Sequence, residues 1–393
     1  VKTNLLKTQF FYFFKERKMQ SFSVSRISRG LVGVCLLAFV HHASACTAVN
    51  VSAKDGSVVA GRTMEWAYDM QWTLKSMPVE SPVILSAPAK LKMGSTELKS
   101  KYAFVAVMPA ILKGADAFLE GQNSAGLGMS GNFLPGFTEY QTVTASDKNA
   151  VSVVNLGRFA LGMFDNVKAL RAELPKYKVW FDPSEVSGLP TPPWLHFVFT
   201  DRTGDSIVVE FVKGQMVISD NVAQVLTNAP TYDWHVLNLR NYISLTKDGK
   251  ASVPYRGGDI TAIGQGGGLL GLPADYQPSS RFVRAAYLRH LATQPANASE
   301  ASQLAVHVLN NVDIPIGVVS SIEGGKTISD YTQWVMIKDL TNNRVMIAND
   351  KNRANYVTLD LNQIFSAKES SSSLIDALPY QPNDGTAKFK STR

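Results

Sequence analysis

The chain has 393 residues, with 39 Lys plus Arg against 32 Asp plus Glu and a formal net charge of +7. Seven of those basic residues and one acidic residue fall in residues 1–45, so the remainder carries 32 against 31. A remainder near neutrality makes no electrostatic case for nucleic acid or an acidic membrane surface, and neither is an expected partner.

In chain order, Arg26 and Arg29 form a short basic segment, and Leu31–Val40 is an apolar run of ten residues, too short for a stable membrane span. Ala43-Ser44-Ala45 then has the small-x-small form of a signal-peptidase site. Residues 1–45 read as a cleavable signal peptide, with Met19 a candidate start and residues 1–18 an upstream extension. The expected location is periplasmic or secreted. Of the two cysteines, Cys35 leaves with the leader and Cys46 stands at the cut. The exported chain then has a single thiol and no internal disulfide in an oxidising compartment.

Thr47–Ser52 and Ser57–Arg62, joined by Lys54-Asp55-Gly56, predict a hairpin that starts at the mature N-terminus. Ala103–Pro109 and Leu127–Phe133 read as strands, and Ala150–Phe164 and Asp165–Leu174 as helices. After a Pro-rich connection, Pro183 to Pro193, strands are predicted at Leu195–Thr200 and Ser206–Val212. Helices follow at Tyr232–Tyr242, Ser279–Leu291 and Ser299–Asn311, then strands at Tyr331–Leu340, Arg344–Ala348 and Tyr356–Leu361. The domain is expected to run from 46 to 365, with a disordered Ser-rich tail over 366–393. Strands in meanders and helices in groups predict an α+β fold of antiparallel sheets with helices outside.

A cysteine at a new N-terminus holds a nucleophile and a base, thiol and α-amine, on one residue. A neighbouring guanidinium favours the thiolate, and the hairpin brings Arg62 close enough to supply it. Read alone, an arginine at position 62 is more often a surface strand residue. Cys46 is also what a lipoprotein signal leaves behind, which makes a non-catalytic, lipid-anchored acyl-binding protein the reading from another class. Asn228, ahead of Ala229-Pro230, reads as turn chemistry or as a donor to a developing oxyanion. Arg281 opens a helix, where a cation opposes the helix dipole, so a role elsewhere competes with a solvated arginine. A cysteine–histidine dyad with His196 or His235 is a further alternative. The histidines show no metal-ligand spacing. Two Gly-x-Gly-x-x-Gly matches, at Gly126 and Gly266, run into Pro135 and Pro273 rather than into helices and carry no nucleotide site.

Cys46-Thr47, Gly61-Arg62-Thr63-Met64-Glu65-Trp66, Gly121-Gln122-Asn123-Ser124-Ala125-Gly126-Leu127-Gly128-Met129, the run from Leu226 to His235 and Pro278-Ser279-Ser280-Arg281-Phe282, in that order, resemble the choloylglycine hydrolase family. That family holds bile salt hydrolases and penicillin V acylases, among the N-terminal-nucleophile (Ntn) hydrolases. The resemblance implies a four-layer αββα sandwich, often a homotetramer, that hydrolyses a small-molecule non-peptide amide without cofactor or metal. It implies Cys46 as nucleophile, its α-amine as base, Arg62 on the thiolate, Asn228 in the oxyanion hole and Arg281 completing the site. Glu65 stands where the family usually has Asp, in contact with the α-amine. A family Gly-Leu-Asn-Phe-Pro segment reads Gly131-Asn132-Phe133-Leu134-Pro135 here, leaving Asn132 and Phe133 both as oxyanion-hole candidates. The leader and Trp66 look like the Gram-negative exported branch, with Trp66 a candidate for an aromatic acyl pocket or an ordinary packed Trp. Fatty acyl amides and acyl-homoserine lactones are the alternative substrates.

Overall fold

The structure, a computed structural model, describes residues 45–112, 116–185, 192–323 and 325–389. The signal-peptide reading, save Ala45, and the middle of the Pro-rich connection lie outside the described residues. Fifteen strands build the two large sheets. They begin with β1 (Thr47–Ser52), β2 (Val58–Trp66), β3 (Trp72–Met77), β4 (Phe104–Pro109) and β5 (Glu120–Asn123). Next come β6 (Gly128–Phe133), β7 (Leu195–Thr200), β8 (Ser206–Val212), β9 (Gln215–Asp220) and β10 (Val225–Leu226). The last five are β11 (Val319–Glu323), β12 (Lys326–Asp339), β13 (Arg344–Asn349), β14 (Val357–Asp360) and β15 (Ser372–Leu374).

The first sheet runs β10-β1-β2-β12-β13-β14 with β11 paired to β12; the second runs β9-β8-β7-β6-β5-β4-β3-β15. Every adjacent pair is antiparallel. Period-two alternation sorts β2 into two faces. Arg62, Met64 and Trp66 point at the second sheet, as do Trp334, Met336 and Lys338 on β12, and the largest core cluster lies there. Val59 on β2 and Val335 and Ile337 on β12 face outward, where α4 (Pro278–Leu291) and α5 (Ala298–Asn310) pack. The contact is close: a Cβ on Gly61 would stand 2.9 Å from Leu309 Cδ1 and from Ile337 Cδ1. Glycine there lets α5 sit directly on the strand. Helices α1 (Val153–Met163) and α2 (Val167–Glu173) cover the second sheet, with Leu156, Phe159 and Leu170 buried in the same cluster. The layers are therefore helix, sheet, sheet, helix, as the resemblance implied.

Local differences have local causes. The helix expected from Ala150 starts at Val153, because Ser152 caps it by accepting from the Val154 N–H, and Ala150–Ser152 is a short strand. The segment at Tyr232 is one α-helix, α3 (Tyr232–Asn238), continued by a 3-10 turn to Tyr242. The expected tail over 366–393 is partly built into the domain. β15 pairs with β3, Ser371 and Ser76 exchange hydrogen bonds, and Ile375 is buried. A Ser-rich composition hid a strand whose anchors are backbone pairing and one isoleucine. Among the described residues, no helix is long and apolar enough to cross a membrane.

Candidate active site

Antiparallel pairing of β1 and β2 sets Ala48 opposite Arg62 and Thr47 opposite Thr63, so Cys46, one residue before β1, lies beside Met64. Its sulfur accepts from Arg62 Nη2 at 3.2 Å and lies 3.6 Å from Met64 Sδ. The guanidinium is held from three other directions. Nη2 donates to Gly131 O at 2.7 Å, Nε donates to Asn132 Oδ1 at 3.0 Å, and the Trp334 ring lies 5.2 Å beneath Cζ. The guanidinium lies against the sulfur in a buried setting.

The backbone of Cys46 faces the other way. Its N–H donates to Asn228 Oδ1 at 2.8 Å, and its carbonyl accepts from Arg281 Nη1 at 2.8 Å. Arg281 Nη2 donates to the same Asn228 Oδ1 at 2.8 Å, and Nη1 also reaches Thr47 Oγ1 at 2.6 Å. Burial brings the Arg281 pKa down to about 10, with Glu65 and then Cys46 pulling it back up. The side chain keeps its charge at neutral pH. Asn228 Nδ2 donates one hydrogen to Phe133 O at 2.8 Å and has a second to give.

Cys46 opens onto a cavity of about 70 Å³, lined almost wholly by apolar groups that include Trp66, Met70, Trp72, Phe118 and Phe133. Trp66 and Phe133 meet edge to face at 5.4 Å. Trp66 is thus part of the cavity wall, beside the sulfur.

The two oxyanion-hole candidates separate. Asn132 spends both amide hydrogens on carbonyls, Leu226 O at 3.2 Å and Thr227 O at 2.9 Å, and its oxygen on Arg62. Its side chain has no N–H for a substrate. Phe133 has no polar side chain, but register aims its backbone. Phe133 pairs with Leu195 while Leu134 N–H donates to Trp194 O, so the Phe133 N–H and C=O both point away from β7. That is the edge where Asn228 meets Phe133 O.

Glu65 departs from the expected contact with the α-amine. Glu65 alternates with Arg62, Met64 and Trp66 along β2, so its carboxyl lies on the opposite face, where Oε1 accepts from Thr332 Oγ1 at 2.7 Å and Oε2 has no hydrogen-bond partner. The Cys46 nitrogen is taken by Asn228 instead. Burial lifts the Glu65 pKa to about 7 against the opposing charge of Arg281.

Neither histidine of the dyad alternative hydrogen-bonds Cys46. His196 Nε2 donates to Thr227 O at 3.0 Å, with Nδ1 2.9 Å from Glu210 Oε1. His235 Nε2 donates to Asn228 O at 2.9 Å, its ring stacks on Phe282, and burial drops its pKa to about 4. Together they clamp the two carbonyls that flank the Asn228 side chain. Sequence reasoning missed Glu120 and Lys338, both fully buried behind Arg62. The available signal was Lys338 at the apolar period of Trp334 and Met336. Among the described residues, no group of three or more His, Cys, Asp or Glu is placed to hold a metal ion.

A four-layer sandwich whose first inner strand begins at a buried cysteine, facing an apolar cavity, is the architecture of an Ntn hydrolase. A family model described as linear amide C–N hydrolases, choloylglycine hydrolase family, matches residues 46–375, and the chain belongs to that family. It is a linear amide C–N hydrolase. A bile salt hydrolase/transferase of Clostridium perfringens is 31% identical over 329 residues, 82% of this chain and 96% of the relative. A penicillin V acylase of Pectobacterium atrosepticum is 28% identical over 233 residues, 58% of this chain and 55% of that one. Among solved structures, a cysteine-to-alanine variant of the conjugated bile acid hydrolase from Clostridium perfringens matches with a TM-score of 0.73 and 29% identity, over 84% of this chain and 96% of its own. The penicillin V acylase of Agrobacterium tumefaciens shares the fold, with a TM-score of 0.67 at 22% identity, over 85% and 94%.

Proposed function

We propose that the protein hydrolyses a small-molecule amide with an apolar acyl group through a thioester acyl-enzyme formed on Cys46, of the penicillin V acylase or conjugated bile salt hydrolase type. The observation that carries this is the Cys46 sulfur, 3.2 Å from Arg62 Nη2 and open to an apolar cavity. Once the 45–46 bond is cut, the nitrogen now bound to Asn228 becomes an α-amine on the same residue as the nucleophile. Sulfur attacks the amide carbonyl and the amine passes the proton to the departing nitrogen. Water, activated by the same amine, then releases the acid. Asn228 Nδ2 and the Phe133 N–H, directed to one edge, are the donors for the developing oxyanion. Arg281 holds the cysteine carbonyl and the Asn228 amide in register.

The cavity is walled by Trp66, Trp72, Phe118 and Phe133, with Met70 and Leu195 beside them. Flat aromatic walls suit a planar or slender acyl group, which favours a penicillin V or fatty acyl amide reading over bile salts. Export by residues 1–45 is part of this proposal, as are the Gram-negative branch and a homotetramer. The lipid-anchored alternative is disfavoured by burial: Cys46 is 1% exposed, and its sulfur and nitrogen are both engaged by protein groups.

A side-by-side assay of penicillin V, glyco- and taurocholate, long-chain acyl amides and acyl-homoserine lactones tests it. Release of phenoxyacetate or a fatty acid with the highest kcat/KM is expected. Bile salts as the best substrates would reverse the cavity argument, and no cleavage of any amide would remove the proposal.

A further inference from the structure

Behind Arg62, two buried charges cross from one sheet to the other. Lys338 of β12 contacts Glu120 of β5 through Nζ and Oε1, and reaches Ser130 Oγ at 3.2 Å and Met129 O at 3.4 Å. The other oxygen of Glu120 lies 3.8 Å from Arg62 Nε. All three side chains are buried, so their charges interact with little screening by water. The Arg62 guanidinium thus lies between two acidic groups: the Cys46 thiol on one side and the Glu120 carboxyl on the other.

We infer that Lys338 is a positioning residue for the reaction: by occupying Glu120 it stops that carboxylate from drawing Arg62 away from the Cys46 sulfur. This rests on the reading of Cys46 as nucleophile. Held against Lys338 Nζ, the Glu120 carboxyl presents less than a full charge to Arg62. Removing Lys338 frees it. Among the described residues, the other charged groups near Cys46 are Arg281 and, through it, Glu65 on the outward face of β2, and neither is hydrogen-bonded or ion-paired to Lys338 or Glu120.

The test is the pH dependence of iodoacetamide alkylation at Cys46, read by peptide mass mapping, which needs no substrate and separates Cys46 from Cys35. In Lys338→Met the alkylation midpoint is expected to rise by about one pH unit, and kcat/KM to fall about tenfold with KM changed far less. Adding Glu120→Gln in the same chain is expected to return the midpoint to the wild-type value, whereas a purely structural loss would deepen. Glu120→Gln alone is expected to leave the midpoint unchanged or lower it, and decides the matter if Lys338→Met does not fold. An unmoved midpoint in Lys338→Met, a double variant no better than the single, or a raised midpoint in Glu120→Gln would each overturn the inference. Failure of every amide substrate would leave these alkylation outcomes intact and strike only the proposed function.

Discussion

Asn228 Oδ1 accepts from the Cys46 nitrogen and from Arg281 Nη2, both at 2.8 Å, so one amide oxygen links the Cys46 backbone to a buried cation. Its Nδ2 faces the opposite way, onto Phe133 O. Replacing Asn228 with Ala removes an oxyanion donor and the amine's acceptor together. We expect kcat to fall by about 10²–10³-fold, with KM changed much less, in steady-state assays.

Cys46→Ser keeps the size of the side chain and the contacts of the backbone. Turnover is expected to fall to background, while thermal melting stays within a few degrees of wild type. A correctly processed serine variant with full activity would refute the nucleophile assignment.

Glu65 gives the stability a pH slope. Its folded pKa, about 7, lies above the usual value of 4.5 because burial penalises the carboxylate. The folded state therefore binds the proton more tightly than the unfolded state. Its contribution is fully present below pH 4.5 and is lost as pH rises toward 7, amounting to about 3 kcal/mol. Urea melts of wild type and Glu65→Gln across that range should show the wild-type decline, with the variant flatter. Equal slopes would mean that Glu65 does not titrate in this window.

Trp66 and Phe133 form the cavity wall nearest the sulfur. Trp66→Ala strips an aromatic face from the acyl subsite, and kcat/KM for penicillin V should fall about 30-fold or more. Cleavage of a short acetyl amide should change far less, and that contrast distinguishes lost acyl contacts from general damage.

The C-terminal segment is a stability element. Ending the chain after Phe365 removes β15 and the buried Ile375, and is expected to cost about 2 kcal/mol or more in denaturant melts. Ending it after Gln381 keeps both, and should leave the melt unchanged.

Much of this architecture was legible because it is local. The alternation in Thr47–Ser52 and the Lys54-Asp55-Gly56 turn are enough to place Arg62 near Cys46, and β7 and β8 have the bounds their patterning predicts. What escaped depends on partners far along the chain. Polar Glu120–Asn123 carries no strand signature and becomes one by pairing on both sides. The separation of Asn132 from Phe133 needed the register with Leu195, and the place of Glu65 needed the length of β2, which runs to Trp66 rather than stopping at Arg62. His196 and His235 invited a dyad reading because a sequence shows the ring but not the carbonyl it holds.

Ala45 and Cys46 are 4% and 1% exposed, and the strand that follows them is flanked by neighbours on both edges. A peptidase in solvent would have to peel that strand from the sheet to grip the bond between them. On the proposed mechanism, liberating the amine is then a matter of timing: the cut precedes closure of the sandwich or is made by groups already sealed inside. On that same mechanism, a chain that folds uncut keeps the side chains of the site in place and lacks its base.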